Sequence, residues 1–384
     1  MIYNFDAMPN RRDTESVKWN HFDADVLPMW VADMDFVSPE PVIRALHERV
    51  AHGVFGYAGD FPGLRQTIVG RMEKLYHWSI RAEDIVFVPG VVTGFNMAGH
   101  AYLQAGNGML SQTPVYMPFL DVARNVGCLN QEMELTLNQD GTYSIDWDAF
   151  ENAITEQTSM FLFCNPHNPV GRVYTRHELE RIAEICTRHD LLICSDEIHC
   201  DLLYSGQTHI PIASLDPELA QRCVTVMAPS KTFNIAGLSC SFAIIQNPQL
   251  RIKYMKAGKG LVHGVNLLGL AAARAAYQEG QEWLDQLLVY LEGNRDLLSS
   301  FVNEQMPGVC MVPPEGTYLA WLDCREAGIE GKLSDFFKTK ARVAISDGEA
   351  FGKGGKGFVR LNFGCPRSML LESLQQMKKA LETR

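Results

Sequence analysis

Lys231 lies in the run Ala-Pro-Ser-Lys-Thr-Phe-Asn-Ile-Ala-Gly (228–237), and an apolar stretch upstream of it ends in the acidic run Ser-Asp-Glu-Ile-His (195–199). A lysine amine can condense with an aldehyde, and a carboxylate can keep a pyridine nitrogen protonated, so that the ring draws electrons from a substrate carbanion. The pair points to pyridoxal phosphate as cofactor. Lys231 follows a strand-like run through two small residues, Pro229 and Ser230, with no acid beside it. In a dry pocket its amine loses proton affinity and becomes the nucleophile that aldehyde capture needs. Asp196 follows Leu-Leu-Ile-Cys-Ser, so it is expected to be buried at a strand end, where a carboxylate needs a positive or donating partner. A protonated pyridinium is such a partner. Taken alone, a solvated lysine and a capping or ion-paired aspartate are the plain alternatives; the flanking residues favour the cofactor.

Other residues extend this chemistry. Asn165-Pro-His-Asn-Pro-Val-Gly171 sets two prolines and two asparagines after a strand, a stiff turn that presents Asn168 as a donor to a ring oxygen. Gly90-Val-Val-Thr-Gly94 joins a strand to a helix whose first amides would face an anion such as phosphate. Tyr116, between Pro114 and Pro118, offers a flat ring for stacking, with core packing as the alternative. Arg360 is a charge inside the apolar run Gly-Phe-Val-Arg-Leu-Asn-Phe; its planar fork suits a substrate carboxylate, and a structural ion pair is the alternative. Cys194, His199 and Cys200 invite a zinc reading, but in an extended run the two cysteines stand ~20 Å apart, too far to share one ion. No metal site is expected. Gly352-Lys-Gly-Gly-Lys-Gly357 lacks the Lys-Ser/Thr ending of a phosphate loop and precedes a strand, so it is expected to be a hairpin or loop.

Strand-like runs at 84–89, 109–112, 159–164, 191–195, 223–228 and 241–246 alternate with helical segments such as Arg176–His189, where Leu179, Ile182 and Ile185 share one face. That rhythm predicts an α/β protein with a mostly parallel mixed sheet covered by helices, its ligands collecting beyond the carboxyl ends of the strands. After about residue 280 the pattern changes to a long polar helix, separate strands and a closing helix. Residues 46–280 are therefore expected to form a large cofactor-binding domain, and 1–45 with 281–384 a smaller α+β domain.

Composition narrows the partners. The 384 residues are 46% hydrophobic, with a net charge of −11 and no basic run, so neither nucleic acid nor an anionic membrane surface is expected to bind. No apolar run approaches the ~20 residues that span a bilayer, and the start lacks the continuous apolar core of a secretion signal. A cytoplasmic enzyme acting on a small molecule is expected. The 10 cysteines include no CxxC pair and read as reduced, buried thiols.

Together these runs resemble the fold-type I pyridoxal phosphate enzymes, and within them the bacterial carbon–sulfur β-lyases of the MalY/PatB type, which include cystathionine β-lyases. The likeness runs through PMWVADMDF (28–36), HGVFGY (52–57), NPHNPVG, SDEIHCDL, SKTFNIAGL, TYLAWLD (317–323) and GFVRLNFGCPR (357–367), almost the whole chain. The resemblance implies that Lys231 binds the cofactor aldehyde, Asp196 pairs with the pyridinium, Asn168 touches the ring oxygen and Tyr116 stacks on the ring. It further implies that the backbone at Val91 and Val92, with Ser230, cradles the phosphate, that Arg360 binds the substrate carboxylate, and that Tyr57 reaches the phosphate of a neighbouring subunit in a homodimer. The implied reaction is β-elimination of S-substituted cysteines to a thiol such as homocysteine, pyruvate and ammonia. An aminotransferase on the same cofactor, or a regulatory protein that keeps it as a structural element, are the competing readings. Two positions depart from related aminotransferases: His199 stands where they place a tyrosine, and Ser239 where they place a phosphate-binding arginine. Both fit the lyase branch.

Overall fold

The apolar runs pair into one sheet. A computed structural model describes residues 1–59 and 61–383, apart from the side chain of Pro62. Its strands β1 (Ile85–Val88), β2 (Gly108–Thr113), β3 (Leu129–Glu134), β4 (Thr158–Cys164), β5 (Leu192–Asp196), β6 (Cys223–Met227) and β7 (Ser241–Ile244) lie in the order β1-β7-β6-β5-β4-β2-β3. All run parallel except β7, which is antiparallel to both of its neighbours.

Side chains alternate across the sheet with the period of two of a strand. Met160, Leu162 and Cys164 of β4 pack on one face with Phe95 of helix α1 (Val91–Tyr102). Phe161 and Phe163 pack on the other with Leu179, Ile182 and Ile185 of α2 (Arg176–Arg188). Helix α2 begins where its sequence says it should: the Thr175 hydroxyl accepts from the Glu178 N–H at 3.3 Å, and the Glu178 carboxylate accepts from the Thr175 N–H at 2.9 Å. Strand β3 had no apolar run to announce it. It is an edge strand, Leu-Asn-Gln-Glu-Met-Glu, largely open to solvent, where polar side chains discourage further pairing.

A second, antiparallel sheet is built from β8 (Leu319–Asp323), β9 (Ser346–Asp347) and β10 (Phe358–Asn362) in the order β8-β10-β9. Its core is shared with helices at Gln281–Gln305 and Arg367–Glu382 and with Phe5, Met29 and Met34 from the start of the chain. The run 352–357 forms a loop ahead of β10, with Gly352, Gly354 and Gly357 at positive φ. Among the described residues no helix is long and apolar enough to cross a membrane.

Residues 28–36 form a strap between the two sheets. The short strand Leu27–Pro28 pairs with Val343–Ala344, and the Met29 carbonyl then accepts from the Asn362 N–H of β10 at 2.9 Å. Beyond that point the strap crosses the carboxyl edge of the large sheet.

Candidate active site

Five strands of the large sheet deliver side chains or amides to that edge. β6 is followed at once by the single-turn helix α3 (Pro229–Thr232), which carries Lys231. Its Nζ donates to the Ala32 carbonyl of the strap at 2.6 Å. Burial, then the positive charge of Arg360, lowers the lysine pKa to about 8, against the opposing pull of Asp33 and Asp196. The amine is thus available near neutral pH.

Asp196 ends β5 and is 4% exposed. It accepts from the Ile198 N–H at 3.1 Å, and among the described residues no cation lies within ion-pair distance. Burial, reinforced by the charge of Glu197, raises its pKa to about 7. Glu197, the next residue, is pinned by the Ser195 hydroxyl at 2.8 Å and by His209 Nε2 at 2.8 Å.

Arg360 projects from β10 and is 3% exposed. Its guanidinium donates to Asn168 Oδ1 at 3.1 Å and to the Trp30 carbonyl at 3.0 Å, and lies 5.0 Å from the Phe351 ring. None of these groups cancels its charge. Its Nε is buried with no hydrogen-bond partner among the described residues, and burial lowers its pKa to about 10.

Asn168, in the loop after β4, gives its oxygen to Arg360 and among the described residues makes no hydrogen bond through its NH2. Tyr116, in the loop after β2, is partly buried; burial raises its phenol, with Arg360 and Asp196 both close enough to act on it electrostatically. His199 is buried with no partner for Nδ1 among the described residues, and burial, with the charges of Lys231 and Arg360, lowers it to about 3, so the ring stays neutral. Val91 and Val92 open α1 after Gly90, whose φ of 110° makes the turn and which brings no side chain to cap the free amides. Ser230 precedes Lys231 in α3 and is 9% exposed.

The structure therefore brings Lys231, Asp196, His199, Asn168, Tyr116 and Arg360 together, with Val91, Val92 and Ser230 on the same sheet edge. Tyr57 stands apart from them in this chain and is fully exposed. Reading side chains alone missed the strap. Its Trp30 and Ala32 carbonyls hold the two cations, and Tyr318 also donates to Ala32 at 2.9 Å.

The chain matches the model of aminotransferase class I and II over residues 25–376. It belongs to that family. Among family relatives it is 39% identical to cystathionine beta-lyase PatB of Bacillus subtilis, over 98% of this chain and 100% of that one. It is 44% identical to the solved structure of OvoB, covering 100% of each chain with a TM-score of 0.95. It is 35% identical to the PLP-bound C–S lyase from Staphylococcus hominis, covering 99% of each with a TM-score of 0.93. The fold is the type I aminotransferase architecture that the sequence motifs implied.

Proposed function

We propose that this chain is a pyridoxal phosphate-dependent carbon–sulfur lyase that β-eliminates S-substituted cysteines, cystathionine-type thioethers among them. The observation that carries the reading is a set of three buried ionisable groups, Lys231, Asp196 and Arg360, that have no counterion among the described residues. The relatives named as cystathionine β-lyase and C–S lyase support it over nearly their full lengths.

The residues fit the cofactor. Asp196 supplies a carboxylate that needs a positive partner, as a pyridinium is. The uncapped amides of Val91 and Val92, with the Ser230 hydroxyl, suit a phosphate. The Asn168 NH2 and neutral His199 suit the ring oxygen, Tyr116 the ring face, and Lys231 the aldehyde. When bound, pyridoxal phosphate supplies an electron sink for negative charge at the substrate α carbon. Arg360 holds the substrate carboxylate through its planar fork. Lys231 Nζ would take the α proton, and burial keeps that amine largely deprotonated above about pH 8. The β sulfur departs as a thiolate, whose parent pKa of about 8.5 makes it a fair leaving group. Hydrolysis of the remaining three-carbon fragment by one water gives pyruvate and ammonia.

The same reading makes the active form a homodimer. Tyr57 is exposed beside Val54 and Phe55 and borders a cleft of about 540 Å³ that includes His263 and Asn266. A second copy would cover this apolar rim and receive Tyr57 at its phosphate site. The ten free thiols fit a reducing cytoplasm. The two separate sheets support a division into 46–280 and 1–45 with 281–384, the core beside the smaller sheet also taking in Phe233, Ala272 and Ala276 of the larger part.

The test is a pyruvate and thiol assay of the reconstituted protein with cystathionine and a panel of cysteine thioethers. Equal yields of the two products are expected, and Lys231→Ala should lower turnover about 10³-fold or more. No pyruvate from any thioether rejects the lyase. Reversible exchange between an amino acid and a keto acid without thiol release would assign an aminotransferase.

A further inference from the structure

Every strap carbonyl from Met29 to Met34 accepts a hydrogen bond from elsewhere in the fold. Asn362 serves Met29 through its N–H and Val31 and Asp33 through its side chain. Arg360 serves Trp30, and Lys231 and Tyr318 share Ala32. Arg11 and Asn234 serve Met34. Of these donors, Asn234 alone belongs to the segment that also carries Lys231, three residues before it.

Asn234 is committed to this contact through its whole amide. Its NH2 donates to the carbonyls of Met34 at 2.9 Å and Phe36 at 2.8 Å, and its oxygen accepts from the Met34 N–H at 3.0 Å. Its backbone sits at φ 55°, where asparagine and glycine are tolerated and most residues are strained. Aspartate would lose both donors, glutamine would be too long, and glycine would have no arm. The lysine turn itself is fastened separately. Thr232 donates to Asp201 at 3.1 Å, and Asp201 is paired with Arg71 at 2.5 Å. The strap is fastened separately too, by Asp35, which Lys18 meets at 2.7 Å. What Asn234 adds is the register between the two.

That register matters because a lysine side chain has four rotatable bonds and, once freed from the cofactor, needs a fixed acceptor to stay aimed at the α proton. Ala32 provides it. We propose that Asn234 is the positioning residue for Lys231: by clamping Met34 and Phe36 it sets the Ala32 carbonyl that receives the lysine amine whenever that amine is not bonded to the cofactor. The inference rests on Lys231 being the residue that captures pyridoxal phosphate.

Asn234→Gly tests it, since glycine keeps φ 55° without strain while removing the clamp. Two quantities are read. One is the rate at which apoprotein captures pyridoxal phosphate, followed by its yellow absorbance. The other is the α-deuterium isotope effect on kcat with a thioether. A misplacement of well under 1 Å should slow capture and lower kcat by about tenfold each. KM should change little, and the isotope effect should grow as proton removal becomes the slow step. Asn234→Asp, which sets a carboxylate against the Met34 and Phe36 carbonyls, should be impaired at least as much per folded molecule as the glycine variant, and it carries the test if the glycine variant does not fold. Wild-type capture rates and isotope effects per folded molecule, whatever the loss in Tm, would reduce the clamp to a structural tie and overturn the proposal. If the wild-type chain itself captures no pyridoxal phosphate, the functional reading falls and this inference with it.

Discussion

Asp35 and Arg360 are both buried charges touched by the same strap, yet their surroundings are opposite. Asp35 receives Arg11 at 2.6 Å, Lys18 at 2.7 Å and the Trp19 indole at 2.8 Å, and Arg11 also holds Asp33 at 2.7 Å. Charge is met with charge. Among the described residues Arg360 and Lys231 are held only by neutral oxygens, those of Asn168, Trp30, Ser346 and Ala32, and Asp196 by one backbone N–H. An isolated buried charge is costly, so a fold that has cations and carboxylates to spare and withholds them is keeping those charges for a ligand. The strap serves both ends: its side chains close the structural cluster, and its carbonyls orient the site without neutralising it.

The largest test of this contrast is to delete one cation from each cluster. Lys18→Met leaves the buried Asp35 short of a partner, and the apoprotein should lose about 3 kcal/mol in denaturant unfolding. Arg360→Leu removes a charge that has no counterion, so the apoprotein should be unchanged or more stable. Its kcat/KM for a thioether should nevertheless fall about 10²-fold or more, chiefly through KM, because the substrate carboxylate loses its fork. Equal losses of stability in the two variants would erase the distinction.

What the sequence exposes of this contrast depends on where the signal resides. Lys231, Asp196 and Arg360 stand out because each is a charge inside or directly after an apolar run, and the strand rhythm around them is local enough to give the sheet and its ligand edge. The acceptors that hold the cations are backbone carbonyls, which any residue has. Ala32 meets Lys231 across 199 residues and Trp30 meets Arg360 across 330, so no spacing announces either contact. Asn234 reads as an ordinary turn residue until its φ and its three partners are known. Strand β3 was hidden for the converse reason, since an exposed edge needs no apolar run. Tyr57 entered only through resemblance, and a single chain leaves it at the surface, where the proposed dimer would set it against another copy.

A smaller effect follows from Asp196. Its pKa is raised by burial from 3.8 to about 7, so between those values the native apoprotein holds a proton that the unfolded chain has released. The Asp196 contribution to stability is therefore greatest below the lower value and falls as pH rises across the window, by up to about 4 kcal/mol, while buried His199 and His167, lowered to about 3 and about 4, contribute with the opposite sign. The wild-type apoprotein melted at pH 5 and pH 8 should lose stability relative to Asp196→Asn, since the histidine contributions are common to both and cancel in that difference. Saturating pyridoxal phosphate should offset the loss in the wild type, by giving the carboxylate a positive partner, and should do so poorly in the variant. A difference between wild type and Asp196→Asn that does not change with pH would mean that Asp196 already has a counterion, and the site would then resemble the Asp35 cluster.

The finest distinction concerns whether the site's charges act on one another. With the Lys231 pKa lowered from 10.5 to about 8, about one amine in ten is free at pH 7. The rate of cofactor capture should then rise about tenfold per unit below pH 8 and level off above it. Burial is the first cause of the lowering and Arg360 the second, while Asp33 and Asp196 oppose them. Arg360→Leu should accordingly move the inflection to higher pH, and Asp33→Asn to lower pH, each by a fraction of a unit. Comparing variants under one set of conditions cancels the cofactor's own titration. An inflection that Arg360→Leu does not move would show that the two cations are screened from each other, as separate unpaired groups would be. A shift in the stated direction would show that leaving Arg360 without a counterion helps to keep the neighbouring lysine neutral, which a carboxylate beside Arg360, of the kind that serves Lys18, would undo.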